Sequence, residues 1–175
     1  HVDKGLVPFD LYPFQEEMIR TFHDKRFVIC KMPRQTGKST TIISFLLHYI
    51  LFNDSVSIAI LANKGSTARE LLSRLQLAYE HFPKWLQQGV VEWNKGSVEF
   101  ENGSKIVAAA TSSSAIRGKS VSFLYIDEAA FVENWEEFSS AVLPTISSGK
   151  TTKTLYTSTP NGLNHFHKTC SGAKE

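Results

Sequence analysis

The chain has 175 residues, 42% of them hydrophobic and 21% charged, with a formal net charge of +2. That length suits one domain with a proper core, and the near-neutral balance gives no compositional argument for nucleic-acid binding. No apolar run approaches the ~20 residues of a membrane span, nothing at the N-terminus resembles a signal peptide, and Cys30 and Cys170 match no metal or redox spacing.

Taken in chain order, the segments alternate between helix-like and strand-like. "LYPFQEEM" (11–18) opens an amphipathic stretch. "RFVICKM" (26–32) is a short apolar run rich in branched residues and reads as a buried strand. Its Cys30 reads as a core thiol, which suits a reducing, intracellular setting. "KSTTIISFLLHYILF" (38–52) reads as a helix, apolar on most faces and so well buried. "VSIAILA" (56–62) is a second buried strand. "STARELLSRLQLAYEHF" (66–82) has leucines at helical spacing, with Ser66 or Thr67 as N-cap. "GSVEFENGSKIVAAAT" (96–111) alternates around Asn102-Gly103, a hairpin signal. "VSFLYIDEAAF" (121–131) is a buried strand with acids at its end. "WEEFSSAVLPTI" (135–146) reads as a helix broken near Pro144, and "KTLYTSTPNG" (153–162) as a last strand. Buried strands alternating with helices predict an α/β domain with a mainly parallel sheet. In such sheets ligands bind at the carboxyl ends of the strands.

Three motifs fall at such ends. "PRQTGKST" lies between a strand and a helix, where backbone N–H groups and the helix dipole favour an anion. Gly37 lets the backbone approach a phosphate closely. Lys38 is placed to reach β- and γ-phosphates, Ser39 to ligate Mg²⁺ and Thr40 to assist at the α-phosphate. Gln35 and Thr36 complete the loop. The usual first glycine is missing, since Met32 stands there, and Arg34 is either a γ-phosphate contact or a solvated surface residue. In "FLYIDEAAF", Asp127 and Glu128 follow four apolar residues in a Walker B arrangement. The first acid serves the Mg²⁺ shell and the second polarises an attacking water. Thr157, Ser158 and Thr159 offer three hydroxyls that either sense the γ-phosphate or cap a turn. Before the first strand, the Gln15 amide can read an adenine edge with Phe14 or Tyr12 stacked on the ring, or it can lie on a helix surface.

With these pieces in order, the chain resembles the ATPase part of phage large terminases, the motors that package DNA into preformed capsids, and most closely those of contractile-tailed phages. The stretches carrying the resemblance are "FQEEM", "RQTGKST", "FNDSVSIAILANKGS", "GVVEWNKGSVEFENGS", "AIRGKS", "LYIDEAAF", "ISSGK" and "TSTPNGLNHF". Terminases characteristically carry a loop with an arginine and no obligatory first glycine, so the odd loop is a lineage variant. The resemblance implies a P-loop NTPase fold of the RecA/ASCE-like type, a mainly parallel sheet flanked by helices with a β-hairpin insertion. It assigns Gln15 to adenine, Arg34, Gly37, Lys38 and Ser39 to phosphate and Mg²⁺, Asp127 to Mg²⁺ and Glu128 to water activation. It makes Thr157, Ser158 and Thr159 a motif coupling hydrolysis to subdomain motion. Arg117 in "AIRGKS" matches a position proposed in related motors as an arginine finger acting on a neighbouring subunit; the other reading is a surface or DNA-contacting arginine.

The implied cofactors are ATP and Mg²⁺. The implied partners are double-stranded DNA (gripped mainly elsewhere in the full protein), a portal protein, a small terminase subunit and further copies in a ring of five. No membrane is involved, and the setting is the host cytoplasm, docked on the procapsid. Residues 1–175 are expected to be a nucleotide-binding subdomain. The ribonuclease-H-like nuclease domain and most of the lid subdomain are expected outside it, and with them tight ATP binding and fast turnover. Two alternatives remain. A superfamily-2 helicase core shares the glutamine, loop and acid pair, although "DEAA" and "TSTPNG" depart from its usual motifs. A nucleotide-binding module without turnover would not need Glu128.

Overall fold

Strands that are buried on both faces need apolar residues at every position, and a crossover helix between each pair makes them parallel. The computed structural model, which describes residues 8–112, 120–147 and 149–173, has this plan. Its elements are Pro13–Asp24 (α1), Phe27–Lys31 (β1), Lys38–Leu51 (α2), Ser57–Ala62 (β2), Gly65–Glu80 (α3), Val90–Trp93 (β3), Ser97–Phe100 (β4), Lys105–Ala110 (β5), Phe123–Asp127 (β6), Trp135–Ser147 (α4), Lys153–Ser158 (β7) and His165–Gly172 (α5). The strands form one seven-stranded sheet in the order β1-β7-β6-β2-β5-β4-β3. The first five in that order are mutually parallel, and β4 and β3 run antiparallel at the edge.

Alternation along the strands divides the core in two. Ile58 and Ile60 of β2, Phe123 and Tyr125 of β6 and Leu155 of β7 pack with Phe22, Ile42, Phe45, Leu46, Leu72 and Leu75 from α1, α2 and α3. Ala59, Leu61, Leu124 and Ile126 face the opposite way and pack with Phe138, Val142, Ile146 and Phe166 from α4 and α5. Cys30 is half-buried against the first cluster, and burial pushes its thiol up to about 11, which makes it an inert filler. Among the described residues no helix is long and apolar enough to cross a membrane.

The structure corrects three expectations. Neither Ser66 nor Thr67 caps α3: the N-cap is Lys64, which contributes no side-chain bond, and Thr67 N–H and Ala68 N–H both donate to its carbonyl. The link from β2 is two residues long, so the hydroxyls already lie inside the first turn. Pro144 does not break α4, which runs through it to Ser147, because Val142 and Ile146 on either side are anchored in the core. The antiparallel part is larger than one hairpin. Asn102-Gly103 does join β4 to β5, with Gly103 at φ 76°, but "VVEW" adds a third strand, β3. The second arm of the hairpin, β5, also pairs in parallel with β2 and so belongs to the main sheet.

Candidate functional site

The site forms where β1, β2, β6 and β7 end. The loop from β1 to α2 reverses at Gln35 and Gly37, both with positive φ (63° and 76°). Gly37 is the N-cap of α2, and its carbonyl accepts from both the N–H and the hydroxyl of Thr41. Lys38 follows as the first helical residue and is buried, whereas Arg34, Gln35 and Thr40 are exposed and Thr36 and Ser39 half-buried. The loop thus places a helix N-terminus and one buried ammonium side by side, a geometry suited to phosphate.

The two acids reach the same space by different routes. Asp127 ends β6 on the face shared with Tyr125, two residues earlier, and is only 5% exposed. Its Oδ1 accepts from the Tyr125 hydroxyl at 2.9 Å and from Thr157 Oγ1 at 3.0 Å. Burial pushes its carboxyl above the ordinary aspartate range, against the pull of those two bonds, with Glu128 adding to the rise and Lys38 opposing it. Glu128 would point to the other face of the sheet if the strand continued. Instead its backbone turns left-handed (φ 50°, ψ 46°). Its carboxylate then meets Lys38, with Nζ donating to Oε1 at 2.9 Å, although the two residues are 90 apart in the chain. Burial lifts the Glu128 carboxyl, but the bond and charge of Lys38, with Thr159, outweigh it and leave the group below the ordinary glutamate range.

The three hydroxyls at the end of β7 divide between the acids. Thr157 bonds Asp127, while Ser158 Oγ and Thr159 Oγ1 each lie 3.3 Å from Glu128 Oε2, which Thr159 N–H also approaches at 3.4 Å. They do more than cap a turn: each touches an acid directly. Gln15 is 2% exposed, which removes the surface reading. Its Oε1 accepts from Tyr12 N–H at 3.0 Å and its Nε2 donates to the Thr36 carbonyl at 3.3 Å, so it ties the start of α1 to the loop. Beside it Phe14 and Tyr12 are exposed, with nearly parallel rings 5.9 Å apart. Arg117 lies outside the described residues.

A cleft of roughly 440 Å³ opens here, lined by Arg34, Gln35, Lys38, Glu128 and Phe131 together with Asn63, Lys64 and Thr67. The last three follow β2, and sequence reasoning missed them because no chemical pattern marks them. It also missed Tyr125, which the two-residue period to Asp127 could have flagged. Among the described residues no group of three or more His, Cys, Asp or Glu could cage a metal. A magnesium ion fits such a site better than a caged metal does, because it takes one or two protein oxygens plus phosphate and water. Ser39 and Asp127 are the oxygens that the sequence assigns to it.

Residues 29–175 match the model of a family described as "Terminase large subunit, T4likevirus-type, N-terminal". Among solved structures, the ATPase domain of the Thermus phage P74-26 large terminase superposes with a TM-score of 0.67 at 22% identity, over 91% of this chain and 69% of that one. The bacteriophage HK97 large terminase gives 0.74 at 19% identity, over 90% of this chain and 34% of that one. A large terminase from a thermophilic bacteriophage, in complex with ATP-γ-S, gives 0.69 at 14% identity, over 90% of this chain and 40% of that one. At these identities the likeness establishes the fold, that of the P-loop NTPases. The chain spans about a third to two fifths of the two longer proteins.

Proposed function

The chain belongs to the N-terminal family of T4-like terminase large subunits, and from that premise we propose that it hydrolyses ATP to drive double-stranded DNA into a procapsid. The observation carrying this reading is the meeting of Lys38 with Glu128, beside Asp127 and at the mouth of the cleft. That a relative was solved with ATP-γ-S supports a nucleotide there. In this reading 33–40 is the Walker A loop and 123–128 the Walker B strand. Loop amides of 34–37 and Lys38 hold the phosphates, and Arg34 reaches the terminal one. Ser39 and Asp127 would hold Mg²⁺, Asp127 with its two hydrogen bonds gathered on Oδ1. Mg²⁺ supplies charge neutralisation on the β- and γ-phosphate oxygens when bound. Phe14 and Gln15 face the base. Gln15 retains one N–H for it beyond the bond to Thr36.

Glu128 is the activating acid. Its depressed pKa keeps it ionised at neutral pH, as a group that orients water and accepts its proton must be. Lys38 holds it when no phosphate competes, and a phosphate that draws Lys38 away frees Oε1. Thr157, Ser158 and Thr159 touch both acids, so a change at the terminal phosphate is transmitted to β7. Arg117, supplied by a neighbouring copy, would add the trans charge that is worth ~10³–10⁵ in related phosphoryl transfers. DNA, a portal protein, a small terminase subunit and a ring of copies are the proposed partners, at the procapsid in the host cytoplasm. The chain is proposed to be the nucleotide-binding subdomain of that assembly.

Replacing Glu128 with Gln tests the reading. Turnover should fall by ~10²–10⁴ with nucleotide affinity within a few fold. Wild-type turnover in that variant would remove Glu128 from its role.

A further inference from the structure

The left-handed turn at Glu128 is held both by a site residue and from outside the site. The residues after it, Ala129–Phe131, form one 3-10 turn. Ala130 N–H donates to Ser158 Oγ at 3.1 Å. The Ala130 carbonyl accepts from Asn164 Nδ2 at 2.7 Å, and the Ala129 carbonyl from His165 Nε2 at 2.8 Å. A carbonyl only accepts, so this contact places a proton on His165 Nε2. The imidazole is itself held flat against the Trp135 indole, 4.5 Å between centroids and 10° between planes. Asn164 does two separable jobs: its Oδ1 caps α5 by accepting from Phe166 N–H and His167 N–H, while its Nδ2 reaches the turn.

We infer that Asn164 and His165 are positioning residues that fix the backbone turn aiming Glu128 at the cleft. This rests on the reading of Glu128 as the activating acid. Two adjacent carbonyls following a single left-handed residue are each anchored by a side chain from the start of α5. Neither Asn164 nor His165 lines the cleft. Their bonds fix the two peptide planes that follow Glu128's own, while the Glu128 carbonyl accepts from Phe131 N–H inside the same turn. The turn that aims the side chain is thus anchored on its far side; an acid displaced by about an ångström from its water can lose ~10²-fold in rate.

The chemistry allows a clean separation. Asn164→Asp keeps the oxygen that caps α5 and removes the amide that holds Ala130. His165→Phe keeps a ring to stack on Trp135 and removes the donor to Ala129, and His165→Gln returns an N–H near the same place. In the full-length large terminase, Asn164→Asp and His165→Phe should lower kcat for ATP by ~10- to 100-fold. KM and the unfolding midpoint should stay near wild type, and His165→Gln should recover most of the rate. In a Glu128→Gln background Asn164→Asp should cause no further loss, because residues that act through one group are non-additive. Wild-type kcat in both Asn164→Asp and His165→Phe would overturn the inference. So would a loss that is additive with Glu128→Gln, or one that tracks a lowered unfolding midpoint, since either assigns the pair to fold stability. Glu128→Gln alone with wild-type turnover would sink the functional reading and this inference with it. An inactive Glu128→Gln beside a fully active Asn164→Asp would sink only the positioning role.

Discussion

Gly37 shows how one residue answers two demands. Its φ of 76° is a conformation that side-chain-bearing residues resist, and a Cβ there would lie 2.6 Å from Gln15 Nε2. The second conflict is with the tip of a flexible side chain, so Gln15 would yield and give up its bond to Thr36. The first cannot be relieved. Gly37→Ala should therefore destabilise by ~1–2 kcal/mol through backbone strain and loosen Gln15 from the loop. In urea unfolding, adding Gln15→Ala should recover little of that loss. If the double variant returned to wild-type stability, the contact and not the backbone would be the dominant cost. A phosphate loop predicts the glycine. Nothing in the local sequence predicts that Gln15, 22 positions earlier, closes against it. Glu128 carries the same kind of strain without being glycine (φ 50°), and it holds that turn only because neighbours on β7 and α5 hold it.

Among the elements, those buried on both faces were legible because burial leaves a continuous apolar run. β2, β6 and the long α2 lie within a residue or a few of where their patterns put them. β3 was not, because its residues are mostly exposed on an edge and have no burial to enforce a period. Pro144 misled because a rule about backbone donors was outweighed by core anchors on both sides. The site was legible in its residue types. The pairing of Lys38 with Glu128 depends on a turn that no alternation could show. α1 illustrates a further contact invisible in sequence. Lys153, at the start of β7, donates from Nζ to the carbonyls of Phe22 (3.1 Å), His23 (2.6 Å) and Lys25 (3.1 Å), closing the end of the helix that carries Gln15. A cation at a helix C-terminus is favourable, and here it also satisfies carbonyls left over at that end. Lys153→Met keeps the aliphatic stem and removes the donors. It should cost ~1–2 kcal/mol in urea unfolding, with early exchange of the α1 amides. Full protection of α1 in hydrogen exchange would show that the cap is dispensable.

Across the whole molecule, two adjacent acids bear on stability in opposite senses. The folded pKa of Asp127 is raised above 3.8, chiefly by burial. Its contribution to stability is therefore fully present below pH 3.8 and is lost as pH rises through the folded value. The folded pKa of Glu128 is depressed below 4.5, since Lys38 and Thr159 outweigh its burial. Its contribution is present above pH 4.5 and is lost as pH falls through the folded value. At neutral pH the first acid thus weighs against folding and the second for it. A residue kept at a cost to stability fits one retained for a ligand rather than for the core. Asp127→Asn keeps the shape and an oxygen that can accept from Tyr125 and Thr157, and it removes the buried charge. Without nucleotide it should melt above wild type at pH 7, with about 2–4 °C corresponding to each kcal/mol for a chain of this size. The gap should shrink as pH falls towards 3.8. Glu128→Gln should melt below wild type at pH 7, with a gap that closes below pH 4.5. Under the proposed function, magnesium and ATP should then reverse the order of the first pair. A ligand at a hundredfold excess over its Kd stabilises by ~2.7 kcal/mol, and Asp127→Asn should forfeit most of that gain because it lacks the charged oxygen for the metal. An Asp127→Asn protein that melts below wild type without nucleotide at pH 7 would show that the carboxylate supports the fold, and the argument that it is held for a metal would lose its physical basis.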